Sequence, residues 1–284
     1  MTQPLDLLPV SGALGAEVRG LDLGLLAEDP GDVSADAILA SLYEHKVLFF
    51  RDQKLTPEQQ IAFSGRLGKI FTDHPAYLPV HPEHRELAVL DGQKGGRANV
   101  WHTDVSISNE PPMASVLYMV ECPAYGGDTM WSDMTAAYDL LSDRMKAYLD
   151  GLVAVHDLNG TVRHIMRERS QQTKAPTGQV PDTSALPRAT HPVVRTHPAT
   201  GRKILYVNPT FTAHIEGVPP AEADAILAFL FEHQDQPELQ CRWRWQQGDV
   251  AIWDNRATHH YAVADYGDAP RTIHRVTLEG EAPY

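Results

Sequence analysis

Cysteine is nearly absent: Cys122 and Cys241 are the only two in 284 residues. That excludes a fold stapled by a disulfide framework, and a reducing cytoplasm is the expected compartment. Long apolar runs are missing as well. Stretches such as Val47-Leu48-Phe49-Phe50 fall far short of the roughly 20 residues a bilayer span needs, so no membrane is expected as a partner. The segment from Met1 to Val10 has no basic start followed by an apolar run, and no secretory leader is expected there. Basic side chains are scarce, 24 against 37 acidic, for a formal net charge of −13. Nucleic-acid binding depends on neutralising phosphates with Lys and Arg, so nucleic acid is not an expected partner either. Local arginines can still receive a small anion. No internal repeat or long linker divides the chain, which is expected to form one domain over residues 1–284.

What the chain does have is apolar material for a full core, 43% of its residues. Short strand-like pieces lie around Gly15 to Leu23. A helix is predicted from Ser34 to His45, with Ala37, Ile38, Leu42 and Tyr43 on one face. Val47 to Phe50 reads as a buried strand. Thr56-Pro57-Glu58-Gln59 is a helix start with a capping box, and that helix runs to about Leu67. Strands are predicted at Ala114 to Val120 and, after the turn at Gly126-Gly127, at Thr129 to Trp131. Helices follow at Thr135 to Leu141 and, capped by Ser142, at Asp143 to Leu149. The polar stretch from Gln171 to Pro187 is expected to be a mobile excursion, within an insertion at about 163–190 placed as a lid or a plain insertion. Later come strands near His191 to Thr196 and Lys203 to Val207, a helix from Pro219 to His233, and strands at Gln240 to Trp245, Asp249 to Trp253 and Thr272 to Leu278. Many short strands with a few outlying helices predict a mainly β fold, a barrel or sandwich flanked by helices.

Candidate chemistry begins with His102-Thr103-Asp104. Two histidines and one carboxylate make the ligand set of mononuclear non-haem Fe(II), with positions left open for oxygen and a co-substrate. Chance supplies His-x-Asp pairs, and His233-Gln234-Asp235 is a second one. It closes a predicted helix, where residues two apart point roughly 200° apart and cannot easily share an ion. The first pair lies in strand-like sequence, where residues i and i+2 face one side. A third ligand must be distant. The stretch after Trp253-Asp254-Asn255-Arg256 holds both His259 and His260, and parity does not choose between them. Arg271 and Arg275 sit four apart on a strand-like segment, so they share a face with Ile273 and Thr277. Their Cα atoms are expected roughly 13 Å apart, which suits two anions, each gripped through a planar fork.

These pieces together, with Gly126-Gly127-Asp128-Thr129, resemble the Fe(II)/2-oxoglutarate-dependent taurine dioxygenase family. The resemblance spans nearly the whole chain, from Gly15-Ala16 to the last strand. It implies a double-stranded β-helix, or jelly roll, and a cytoplasmic enzyme that uses Fe(II), 2-oxoglutarate and O2. It implies His102, Asp104 and His260 as iron ligands, since the family places its distal histidine eleven residues before the first arginine, as His260 stands before Arg271. Arg271 and Thr129 would hold the distal carboxylate of 2-oxoglutarate. Arg275 would hold the sulfonate of the substrate, and His74 and Tyr77 match the family's substrate-contacting pair. Ala98 stands where the family has asparagine, and Thr161-Val162 where it has serine and phenylalanine. The implied reaction hydroxylates a small taurine-like sulfonate next to sulfur, releasing sulfite and an aldehyde with succinate and CO2. Alkyl sulfates and aryloxyalkanoates are the alternative substrates. Family members often assemble, so a homo-oligomer is open to the chain. A zinc-dependent hydrolase on the same three ligands would leave Arg271 and Thr129 without a task, and a non-catalytic anion binder that keeps the fold would bind anions unaffected by His102→Ala, with no turnover.

Overall fold

The computed structural model describes residues 5–29, 33–74, 78–92, 98–158 and 187–284. Fifteen strands and six α-helices are defined among them. In chain order they are β1 (Asp6–Pro9), β2 (Ala16–Arg19), α1 (Leu23–Glu28), α2 (Ala35–His45), β3 (Val47–Phe50), α3 (Pro57–Leu67), β4 (Leu87–Asp91), β5 (Ala114–Glu121), β6 (Thr129–Asp133), α4 (Met134–Leu140), α5 (Asp143–Leu149), β7 (Val153–Asp157), β8 (Arg188–Pro192), β9 (Val194–Thr196), β10 (Lys203–Leu205), β11 (Thr212–Ile215), α6 (Pro220–Gln234), β12 (Gln240–Trp243), β13 (Val250–Asp254), β14 (Thr258–Ala262) and β15 (Thr272–Leu278). No helix among the described residues is long and apolar enough to cross a membrane.

The largest sheet has seven strands in the order β1-β2-β3-β13-β5-β15-β4. A three-stranded sheet, β12-β6-β14, packs across it, and β11-β7-β8 and β10-β9 complete the strand-built shell. This is the jelly roll with flanking helices. The central strands of the large sheet are buried on both sides, which is why Val47-Leu48-Phe49-Phe50 is an uninterrupted apolar run. Val47 and Phe49 face inward with Leu117, Met119, Ala251, Trp253 and Ile273, and meet Trp131 and Trp243 of the small sheet. Leu48 and Phe50 face outward with Val116, Val250 and Ile252, under Ile38 and Leu42 of α2 and Phe63 of α3. The inner layer is aromatic: Phe49 stacks on Trp243 with ring centroids 4.1 Å apart. A third cluster lies under α6, where Leu227 and Leu230 cover Ile204, Leu205 and Ile215.

The helix starts follow their sequence signals. Thr56 accepts from Gln59 N while the Gln59 side chain accepts from Thr56 N, closing the capping box of α3. Ser142 caps α5 through Met145 N. Several expectations need correction. The segment His191 to Thr196 is two strands in different sheets, broken at Val193. Strands β1, β4, β7, β11 and β14 and helix α1 were not read from the sequence. Arg188, Ala189 and Thr190, placed at the end of the insertion, belong to β8, and the rest of that insertion lies outside the described residues apart from Pro187.

Candidate metal centre and anion sites

The His-x-Asp pair is not on a strand, contrary to the sequence expectation. His102 forms a single antiparallel bridge with His260: its N–H donates to His260 O at 3.1 Å, and His260 N–H donates to His102 O at 2.8 Å. Asp104 then opens a tight turn in which Val105 has φ +53°, with Ser108 N donating to Val105 O at 3.0 Å. A β-branched residue in that region costs about 1–3 kcal/mol and persists only where its surroundings fix it. Asn255 does part of this fixing. Its amide donates to Asp104 O at 3.0 Å, and its carbonyl accepts from Asp104 N at 2.8 Å and from the Thr103 hydroxyl at 3.0 Å.

Strand β14 resolves which histidine faces the barrel. His260 pairs across from Trp131, whose ring belongs to the inner core, while His259 pairs across from Ser132 and points to the opposite side. Because His102 and His260 are bridge partners, their rings share a face, 4.0 Å apart between centroids. One ligand atom each from His102, Asp104 and His260 lies within 4.8 Å of the others, and this is the one such cluster among the described residues. The three residues are 8, 6 and 7% exposed, so bulk water does not solvate them. Asp104 Oδ1 stands 3.8 Å from His102 Nε2 and 3.9 Å from His260 Nε2. Those separations exceed a hydrogen bond, and they leave room for a shared cation.

The protonation states suit one. Burial pushes both imidazoles below their ordinary range, His260 well below it, so each is neutral with a lone pair to give. His102 Nδ1 lies 2.7 Å from Val100 O, a carbonyl that can only accept, which puts the ring proton on Nδ1 and frees Nε2. Burial alone raises the Asp104 pKa, but Arg275, His260 and His102 outweigh it and hold the carboxyl at about 2. Two neutral nitrogens and a carboxylate, with an open half-shell, fit a ferrous ion.

Both arginines are buried, and both face the barrel, as their parity predicted: Ile273 between them belongs to the inner core. Arg275 on β15 donates from Nη1 to Asp104 Oδ2 at 2.9 Å, while its buried Nε has no hydrogen-bond partner among the described residues. Arg271, just before β15, donates from Nε to Gly127 O at 3.0 Å. No carboxylate stands within 4.0 Å of its charged nitrogens among the described residues. Gly127 permits this approach. Its φ is +71°, and a Cβ there would stand 3.0 Å from Arg271 Cδ and Nε. Thr129, at the start of β6, accepts from Trp245 Nε1 at 2.9 Å, which leaves its hydroxyl proton free to turn toward another acceptor. His74 is half-buried, and its pKa is lowered by burial and then by the charge of Arg275. Tyr77, Thr161 and Val162 lie outside the described residues.

Sequence reasoning did not give Asn255 its role, nor Trp245 behind Thr129, nor Phe211, whose ring meets that of His102 edge-on at 6.3 Å. The second His-x-Asp pair behaves as expected: His233 Nε2 donates to Ala137 O at 2.8 Å and Asp235 is the C-cap of α6.

Comparison with known proteins agrees with this geometry. Residues 6–277 match the family model of the taurine catabolism dioxygenase TauD, TfdA family. The chain is 42% identical over 280 residues to an alpha-ketoglutarate-dependent sulfate ester dioxygenase of Pseudomonas putida, covering 98% of this chain and 91% of that one. It is 38% identical over 285 residues to an alkylsulfatase of Acinetobacter baylyi, covering 99% and 86%. A solved taurine dioxygenase from Burkholderia xenovorans superposes with a TM-score of 0.82 at 38% identity, over 99% of this chain and 91% of that one. The chain belongs to the TauD/TfdA family and is a 2-oxoglutarate-dependent, non-haem iron dioxygenase, with Fe(II) as its cofactor and 2-oxoglutarate and O2 as its co-substrates.

Proposed function

We propose that this dioxygenase oxidises a small organosulfur anion at the carbon that carries the sulfur group, with alkyl sulfate esters first among its substrates and taurine-like sulfonates second. The observation that carries the reading is Arg275, a buried guanidinium beside Asp104 and on the same face as Arg271. Sulfate esters come first because two relatives at 42 and 38% identity are named for sulfate esters and alkyl sulfates. Sulfonates stay in the reading because the superposed structure is a taurine dioxygenase.

His102, Asp104 and His260 hold the iron in this reading, and Arg271 and Thr129 hold the distal carboxylate of 2-oxoglutarate. Arg275, His74 and Tyr77 hold the substrate. When bound, Fe(II) with O2 and 2-oxoglutarate supplies oxidative decarboxylation to succinate and CO2 and the power to hydroxylate a C–H bond. The chain's own task is orientation at a buried site. A carbon hydroxylated beside a sulfate ester expels sulfate and leaves an aldehyde; beside a sulfonate it expels sulfite. We further place the enzyme in the cytoplasm, since both cysteines are free thiols. Its acidic charge argues against nucleic acid as a partner, and its expected small-molecule partner is an anion.

A panel of alkyl sulfates, taurine, longer alkylsulfonates and phenoxyacetates, scored by succinate, sulfate and sulfite, tests the reading. Alkyl sulfates are expected to release succinate and sulfate in equal amounts. Succinate coupled to phenoxyacetate alone would overturn it.

The two arginines are expected to separate by substrate. Arg271→Ala raises the 2-oxoglutarate KM roughly 10- to 150-fold, as for a lost charge-assisted bond of about 1.5–3 kcal/mol, with a much smaller change in the KM for the sulfur substrate. Arg275→Ala does the reverse. Equal effects on both would contradict the assignment. Gly127→Ala drives a methyl group against Arg271 in a backbone conformation that disfavours it. A 2-oxoglutarate KM on the order of tenfold higher is expected, with unchanged metal affinity by calorimetry; an unchanged KM would show that Arg271 does not need this cradle.

A further inference from the structure

The turn after Asp104 is gripped from a second side, by a buried polar cluster that the reaction itself does not use. His191 on β8 places Nε2 2.8 Å from Ser106 O, and since a carbonyl can only accept, His191 is the donor. His156 on β7 places Nδ1 3.0 Å from Ser106 Oγ, and the Asn208 amide donates to the same oxygen at 3.3 Å. Thr212 on β11 joins the far side of the His156 ring at 3.4 Å and accepts from Asn208 N at 2.9 Å. The two histidine rings meet edge-on at 5.1 Å, and Tyr206 stacks on His156 at 5.8 Å. Ser106, His156 and Asn208 are fully buried and His191 is 1% exposed.

We infer that His191, with His156 and Asn208, is a positioning device for the metal carboxylate, clamping Ser106 so that the intervening Val105 is held at positive φ and Asp104 is aimed at the cation. The argument is one of constraint. Asn255 fixes the backbone of Asp104, and the Ser106 cluster fixes the backbone two residues on. Between two fixed points a strained residue has no relaxed alternative. Release of one point lets Val105 return to an ordinary conformation, which rotates the Asp104 peptide. His156 stays a neutral ring, because burial lowers its pKa to about 3, so it serves as a donor and an acceptor at once. The inference rests on the ligand set proposed above and extends it outward.

The test is Co(II) binding to the full-length metal-free protein, followed by calorimetry and by the visible spectrum of the bound ion. Wild type is expected to bind one Co(II), and His260→Ala to lose it; that pair tests the ligand set alone. His191→Leu is expected to weaken Co(II) binding about tenfold, as losses of groups that orient ligands do, and to alter the spectrum. His191→Gln, which keeps an N–H for the carbonyl, is expected to bind within about twofold to threefold of wild type. In the same variants the ratio of succinate formed to substrate oxidised rises for Leu and not for Gln. If His191→Leu does not fold, Ser106→Ala takes its place, with a severalfold weaker Co(II) affinity expected. Wild-type affinity and spectrum in His191→Leu or Ser106→Ala, or equal losses in Leu and Gln, would overturn the inference while leaving the ligand set standing.

Discussion

Asp104→Ala abolishes stoichiometric binding of a divalent metal and, with it, succinate formation, and lowers the stability of the metal-free protein by about 3–5 kcal/mol. Two effects combine because the carboxylate has two tasks. Oδ1 faces both imidazoles at 3.8 and 3.9 Å. Oδ2 accepts from Arg275 at 2.9 Å and more distantly from the Ser115 hydroxyl at 3.4 Å. Alanine removes the one anionic member of the proposed ligand set, and two neutral imidazoles are a poor site for a ferrous ion. It also leaves the Arg275 guanidinium buried with its nearest carboxylate gone, and an uncompensated buried charge is the costly half of a broken pair. Asp104→Asn separates the effects. It keeps an oxygen for Arg275 but loses the negative charge, so metal binding fails with a smaller loss of stability. Mn(II) or Co(II) titration reads the first effect and urea unfolding of the metal-free protein reads the second. Wild-type metal affinity in Asp104→Ala would remove it from the ligand set, and equal stability in the Ala and Asn variants would show that Arg275 does not depend on it.

How much of this was legible in the sequence depended on the range of the interaction. Local rules worked where local groups satisfy each other. The Thr56–Gln59 capping box and the Ser142 cap placed α3 and α5 correctly, because donor and acceptor lie within one turn. Strand parity worked on β15 and at Arg271 just before it, putting Arg271 and Arg275 on the face of Ile273 even though a bulge shifts the pairing with β5 near Thr272. Parity failed at His102-Thr103-Asp104 for a physical reason. Flanking Val and Trp residues give the segment strand-like composition, but only His102 finds a strand partner and Asp104 turns away. Nothing in Val105 announces a positive φ; a β-branched residue argues against it. Strand β14, Thr-His-His-Tyr-Ala, shows no clean alternation of apolar and polar residues because both of its faces are buried around His259 and His260. The three proposed ligands were legible only as an ordered set of motifs. The Asn255 side chain reaches Asp104 across 151 residues, and no periodicity encodes a contact at that separation.

Asp254→Ala, one residue before that asparagine, is expected to cost about 3–5 kcal/mol, a large share of a stability of about 5–15 kcal/mol. Asp254 is 1% exposed and binds two cationic or potentially cationic groups. Arg256 donates to it through Nε and Nη2, each at 2.9 Å, and through its own backbone N at 3.0 Å; His197 Nε2 lies 2.7 Å from Oδ2. Arg256, 4% exposed, would keep among the described residues Glu281 at 3.5 Å and the Tyr43 ring at 5.3 Å. The pH dependence identifies the residue. Burial raises its pKa, but Arg256 and His197 outweigh this and hold it well below the ordinary carboxylate range. A carboxyl whose folded value is depressed contributes fully above its unfolded value, about 3.9. That contribution is lost as pH falls from there toward the folded value. Asp104 acts in the same direction, with its folded value at about 2, and the buried His156 and His259, each at about 3, lose stability over the range from about 6.5 downward. Asp249, raised to about 6, acts oppositely. These groups are common to wild type and variant, so the part of the difference between their urea stabilities that is lost below about pH 4 isolates the Asp254 carboxyl. A difference independent of pH down to the acid transition would mean that Asp254 acts through shape alone, and that the turn carrying Asn255 is held by packing and not by its buried ion pairs.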